Sequence, residues 1–222
     1  MHNNCITVVF VLLLAACADT PKAPKPPQNG AFYVGDSLNY IKYLYKDGVK
    51  MSETPFVNGK AHGLSKDYFS GGALRLTVEY RNAKRNGMTT MYYDTGEKYS
   101  EIPYADGKIN GTKFNYKKDG SLTAKVAYSE GVPVPPLEEY DINGKAIAQP
   151  SIKFKTSGGI LKMELSDKAF SATQFYAVEK DGLKRIPTEK KAGSLASPRK
   201  GMVIRAVYTT GRNNEGAVDA KY

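Results

Sequence analysis

The feature that most constrains this chain is a period. Gly48, Gly72, Gly96, Gly120 and Gly144 recur every 24 residues without slippage. Four residues before each stands Leu44, Tyr68, Tyr92, Tyr116 or Tyr140, and eight residues after the first four stands Phe56, Tyr80, Tyr104 or Tyr128. A second glycine column holds Gly59, Gly107 and Gly131, with Ala83 in the remaining slot. A third holds Gly63, Gly87 and Gly111, with Pro135 in the last. A unit this short cannot bury a core of its own, so neighbouring units must stack.

Each unit reads as two short strands and two turns. "ALRLTVEY" alternates Leu74, Leu76, Val78 and Tyr80 with polar neighbours, the period of a half-buried strand. "NAKRNG" turns the chain and "MTTMYY" returns it. The turns "KDG", "DTG" and "ING" place Asp, Asn or Thr before Gly where a hairpin needs positive φ. Ala83, already non-glycine, marks a slot expected to tolerate a side chain. The tyrosines are expected to form ladders along the stacked sheet, rings packed and hydroxyls at the edge. Composition agrees with strands: 16 Tyr, 21 Gly, 12 Pro and no Trp.

At these residues the chain resembles the MORN repeat, in the variant of bacterial YwqK-type antitoxin proteins. "YRNAKRNGMTTMYYDTGE" and "YADGKINGTKFNYKKDGS" follow its order of aromatic, turn, Gly-Lys, Asn-Gly, aromatic pair and Gly. The resemblance covers residues 40–147 and implies stacked hairpins that serve as a scaffold or binding surface. Through the antitoxin-type relatives it also implies a protein that neutralises a toxin by binding it. Leu44 replaces Tyr in the first unit, and "VPVPP" replaces the third Gly in the fourth, departures expected of end caps.

Ahead of the repeat, residues 6–16, "ITVVFVLLLAA", form an apolar run of 11 residues. Spanning a bilayer takes about 20 residues, so the run suits an export signal instead. It ends in Leu14-Ala15-Ala16-Cys17, which resembles the bacterial lipobox, although "MHNN" lacks the usual Lys or Arg. The resemblance implies cleavage after residue 16, acylation of Cys17 with palmitate among its chains, and membrane anchoring. Ala18, where Asp would favour inner-membrane retention, leans the expectation towards the outer membrane. The alternative is a plain signal peptide with an incidental cysteine. Cys5 would leave with the signal, so the mature chain would hold no disulfide and no thiol nucleophile. Residues 17–30 then read as the lipidated cysteine and a Pro/Lys-rich tether, extended at about 3.1 Å per residue.

"VPVPPLEEYDINGKAIAQP" closes the repeat domain, residues 31–147. Residues 148–222 show short alternating runs, "SIKFKT", "ILKMEL", "QFYAVE", "LKRIP", "MVIRAVYTT" and "AVDAKY", which predict a small β-sandwich-like domain. Its ending weakly resembles the last hairpin of immunoglobulin- or fibronectin-type modules, without their Cys and Trp. The fold class is therefore all-β: an elongated antiparallel sheet of stacked hairpins, then a small sandwich.

Charge falls unevenly. Residues 31–147 carry 16 Lys+Arg against 14 Asp+Glu, and residues 148–222 carry 14 against 7. Lys184, Arg185, Lys190, Lys191, Arg199, Lys200 and Arg205 form a basic concentration. It reads either as a patch for an anionic partner (lipid headgroups, lipopolysaccharide or an acidic protein) or as a solvated face. Nucleic acid does not fit an exported protein. Chemistry is sparse. His62 is the one histidine beyond His2, and Glu53, Glu79, Glu97 and Glu101 are expected on strands among lysines. Neither a phosphate loop nor a metal-ligand spacing occurs. A non-catalytic, cofactor-free binding module with a protein or glycan partner in the envelope is the expectation. An immunity protein is the alternative.

Overall fold

The structure, a computed structural model, describes residues 25–167, 171–189 and 191–222. Cys17, Lys190 and the apolar N-terminal run lie outside the described residues. The fold is all-β: one antiparallel sheet of 13 strands and two sheets of four. Two compact units divide the chain. One comprises residues up to 108 with 118–120, and the other residues 109–117 with 121–222.

The first unit is built from hairpins whose turns share one geometry. Asp47-Gly48, Asn58-Gly59, Asn82-Ala83 and Asp106-Gly107 all have positive φ at both residues, for example 51° and 69° at Asn58-Gly59. These are two-residue turns of the mirror-image type, whose twist matches that of the flanking strands. Ala83 sits at φ 65°, so its slot is no different from its glycine equivalents. The alanine is accommodated there under strain, against the expectation of easy tolerance. The turn amides also reach back to the preceding repeat. Gly59 donates to the Leu38 carbonyl, Ala83 to Ala61 and Gly107 to Arg85, each at 2.8 Å.

The other turns are longer. In 69–73 the Gly72 N–H donates to the Phe69 carbonyl and the Phe69 N–H to the Ala73 carbonyl, both at 2.8 Å. The same pair of bonds recurs at Tyr93, Gly96 and Glu97. A register shift accompanies each, at Asp67/Tyr68 and Met91/Tyr92. Gly48 keeps the phase of this column but closes a two-residue turn instead, because Lys46 pairs directly with Val49.

The third glycine column has a cross-strand cause. Gly63 lies opposite Tyr80 and Gly87 opposite Tyr104, and the space a Cβ would take is filled from a neighbouring strand by Pro55 at Gly63 and by Glu79 at Gly87. A Cβ on Gly87 would meet Glu79 Oε2 at 2.0 Å, and φ there is 112°.

The tyrosines of one column do not stack ring on ring as expected. A unit spans two strands, so successive rings stand about 9.6 Å apart, beyond the roughly 4.5–7 Å of an aromatic pair. A cation fills the gap. Arg85 lies over the Tyr104 ring at 5.2 Å and donates to its hydroxyl at 3.0 Å. Between the rings run small side chains: Ser65, Val78 and Thr89 follow one another across three strands, and all are buried. With Thr90 and Ser100 they are the buried residues of this unit among those described.

The second unit holds the large core. Val126 and Tyr128 of strand Leu122–Ser129 and Leu137 of strand Val132–Tyr140 join Leu161, Met163, Phe175, Ile186, Ile204 and Tyr208 in one cluster. Strand Ile160–Leu165 buries every second residue, Leu161, Met163 and Leu165, as its alternation predicts. The predicted sandwich segment forms both four-stranded sheets. One contains Ile152–Ser157, Ile160–Leu165, Ala192–Ala196 and Thr188–Glu189. The other contains Gly182–Ile186, Ser171–Glu179, Val203–Thr209 and Glu215–Lys221.

Two stability predictions follow from these geometries and are checked by thermal melts. Ala83→Gly relieves a left-handed alanine and should stabilise by about 1 kcal/mol, whereas Gly87→Ala should destabilise. Tyr128→Ala, at a site 5% exposed, should cost about 3–5 kcal/mol, and the same change at the half-buried Tyr104 less.

Candidate binding surface

A grouping of charged and aromatic side chains lies on three strands of the first unit, Tyr40–Lys46, Val49–Val57 and Gly63–Tyr68. Glu53 pairs across the sheet with both Tyr43 and Lys66. Its carboxylate receives Lys50 Nζ at 2.7 Å and Lys66 Nζ at 2.9 Å. Lys50 Nζ also lies 4.7 Å from the centre of the Tyr68 ring and 5.8 Å from that of Tyr43. Tyr68 stands at a register shift, Asp67/Tyr68, in the pairing of its strand with Leu74–Arg81.

Burial alone would raise the Glu53 pKa. The hydrogen bonds from Lys50, Lys66 and Tyr68 outweigh it and hold the carboxyl down at about 2. The bond to Glu53 is the main cause that raises both Lys50 and Lys66. Such a carboxylate accepts hydrogen bonds and has no proton to give at neutral pH, so it is not set up as a general acid. The motif recurs two units on, where Lys98 Nζ meets Glu101 at 2.6 Å. Beside the cluster is an open, shallow cleft lined by Leu44, Met51, Tyr68 and Phe69, with the Arg75–Asp67 ion pair, 3.1 Å, among its walls.

The repeat residues singled out from the sequence fall into two structural roles. Gly48, Gly72, Gly96, Gly120 and Gly144 all have positive φ, from 76° to 100°. Tyr68, Tyr80, Tyr92, Tyr104 and Tyr116 are half-buried on strands or at their ends, and Tyr128 belongs to the core of the second unit. His62 follows a turn, its backbone N–H bonded to Pro55. Among the described residues no group of three or more His, Cys, Asp or Glu could hold a metal.

The basic residues of the second unit are differently placed from one another. Lys184 and Arg185 are successive residues of the strand Gly182–Ile186, so they project to opposite faces. Arg185 donates to Gln174 Oε1 at 2.9 Å, and Arg199 stands 3.9 Å from Glu179. Arg205 makes two bonds of 2.8 Å to Asp219. Tyr176 lies between Arg185 and Arg205 in one cross-strand row. Lys191 is at positive φ, 69°, and Lys200 is exposed in the turn before Val203.

Two features escaped the sequence reading. Lys155 and Lys162 sit directly opposite each other on Ile152–Ser157 and Ile160–Leu165, a like-charge pair that strands normally avoid. Glu139 is a carboxylate only 3% exposed, held by Thr210 Oγ1 at 2.8 Å and Asn214 Nδ2 at 2.6 Å. Asn214 in turn accepts from Asn115 at 2.6 Å. The signal for Glu139 was present: in "LEEY" one glutamate must share the face of Leu137, and that face is the core.

No protein-family model matches the chain, and no curated protein matches it significantly.

The Glu53 cluster generates a pH prediction. A carboxyl whose folded pKa lies below its unfolded value contributes stability above about pH 4.5, lost as the pH falls towards about 2. Its contribution is on the order of 1 kcal/mol, because the two lysines are partly solvated. Glu53→Gln should lower the melting temperature at neutral pH and flatten its decline across that acid window. An unchanged acid slope would place the effect elsewhere.

Proposed function

We propose that the chain is a lipid-anchored protein of the cell envelope that acts as a non-catalytic binding or scaffold module. One observation carries this reading. In the first unit the residues buried among those described are Ser65, Val78, Thr89, Thr90 and Ser100, all small, while the aromatic and charged side chains are half-buried or exposed. Those side chains are fixed in place by ion pairs and cation–ring contacts such as Lys50–Glu53 and Arg85–Tyr104. A surface ordered in advance loses little side-chain entropy when a partner docks, and aromatic residues and arginine are what interface centres favour. The resemblance to MORN-type repeats supports the same class of role. The partner is a protein or glycan of the envelope.

The second reading is an immunity protein, which would use the same surface to hold a toxin. It rests on the antitoxin-type resemblance, and a periplasmic location is compatible with it. Co-expression with the product of any neighbouring toxin-like gene separates the two. Rescue of growth supports immunity, and its absence leaves the scaffold.

Anchoring is tested through Cys17. Wild-type chain should incorporate a palmitate analogue in metabolic labelling, and Cys17→Ser should not. Binding is tested by capture from detergent-solubilised envelope. Met51→Glu with Arg75→Glu, in the open cleft, should abolish recovery of a partner that the wild type retains, with the fold intact by circular dichroism. Equal recovery by both would remove this surface from the proposal.

A further inference from the structure

We infer that strand Gly30–Gly35 is a self-association site, pairing antiparallel with the same strand of a second copy about a two-fold axis at Tyr33. This goes beyond the scaffold reading and does not depend on it. Among the described residues the strand is hydrogen-bonded on one side only, to Tyr40–Lys46, and it forms the first edge of the large sheet.

The direction of the edge's backbone groups can be read from its flanks. The Gln28 carbonyl accepts from Gly48 at 2.7 Å, and the Asp36 N–H donates to the Asn39 carbonyl at 2.9 Å. Even-numbered residues therefore face the neighbouring strand. By the alternation of antiparallel ladders, Ala31, Tyr33 and Gly35 turn their N–H and C=O outward. An axis at Tyr33 sets Tyr33 against its own copy and Ala31 against Gly35, so each outward residue gains a partner. On the other register positions it sets Phe32 against Val34, an aromatic–β-branched pair of the kind that stabilises antiparallel sheets.

The choice of a second copy follows from charge. Residues 26–35, "PPQNGAFYVG", carry no charged side chain, so self-pairing opposes no like charges, and an acidic or basic segment would find no counter-charge. Exposed edges are normally blunted by lysine, an internal proline or a bulge, and this strand has none of them. Residues 30–108 carry 11 Lys+Arg against 9 Asp+Glu, so two such units repel little. Val34, 46% exposed, lies opposite Ile41, 37% exposed. The two-fold would extend this apolar row across the joint.

The test uses the full chain in a density-matched detergent, read by sedimentation. Wild type should show the protein mass of two chains, falling to one on dilution. Tyr33→Pro removes an outward N–H and leaves the inward ladder untouched. Val34→Lys puts a lysine on each side of the joint. Both should sediment as single chains at concentrations where the wild type is dimeric, with unchanged circular dichroism. If Tyr33→Pro fails to fold, Val34→Lys at its exposed position decides alone. A wild type that is a single chain at every concentration would overturn the inference, even if it binds an extended peptide from another protein. So would a folded Val34→Lys variant that stays dimeric.

Discussion

The repeat depends on one backbone constraint, a two-residue turn with positive φ at both positions. Strands twist to the right, and only the mirror-image turns join two of them without splaying the pair. Asn-Gly, Asp-Gly and Glu-Gly meet that demand at 58–59, 106–107 and 130–131. The turn does a second thing. The amide of its second residue donates to a carbonyl of the preceding repeat, and the pairs Ala83–Ala61, Gly107–Arg85 and Gly131–Ile109 are each 22 residues apart. Inserting or deleting a residue would lose both the reversal and the hook. A period held by both has no reason to slip.

In the first unit the aromatic side chains stay half-buried or exposed, which explains why most of the rings are tyrosines. Leucine on such a surface would leave an apolar patch, and tyrosine offers a ring to pack with a hydroxyl that takes a partner. Two strands separate successive rings, a spacing that excludes direct stacking and admits a cationic side chain. Arg85 beside Tyr104 and Lys50 between Tyr43 and Tyr68 use that space. On the backbone ladder of the first unit, such ring–cation contacts accompany a buried row of Ser65, Val78 and Thr89. The second unit works by the ordinary rule, with Phe175, Tyr208 and their neighbours fully enclosed.

Much of this was legible because local rules dominate in repeats. Glycine spacing, strand alternation and the Asn/Asp-Gly pairs each follow from a few adjacent residues, and the structure is all-β with an extended hairpin sheet. What was not legible depends on register. The Tyr104–Gly87 pairing and the insertion of Arg85 need the strands aligned first, and no column of the sequence marks Arg85, since Ala61 and Ile109 hold its equivalents. Glu139 needed the core face of its strand to be known. Ala83 misled for a different reason. A residue that departs from a glycine column says that the slot admits a Cβ, and nothing about whether its φ is comfortable.

The two ends of a repeat array pose one problem, an unpaired strand edge, and this chain treats them differently. At the far end Pro135 takes the third glycine slot, the strand Val132–Tyr140 is followed by only the two-residue strand Ala146–Ile147, and Leu137 and Glu139 are buried. Glu139 fixes that ending through Thr210 and Asn214 of the last hairpin, so removing a hydrogen-bond partner would leave a buried carboxylate unsatisfied. The near end has six residues, no charge and a complete row of outward backbone groups. Short strands and proline are the usual means of blunting an edge; the strand Val132–Tyr140 carries three prolines and is followed by a two-residue strand, whereas Gly30–Gly35 carries none. An array that protects one edge and leaves the other regular keeps one direction in which a further strand can be added.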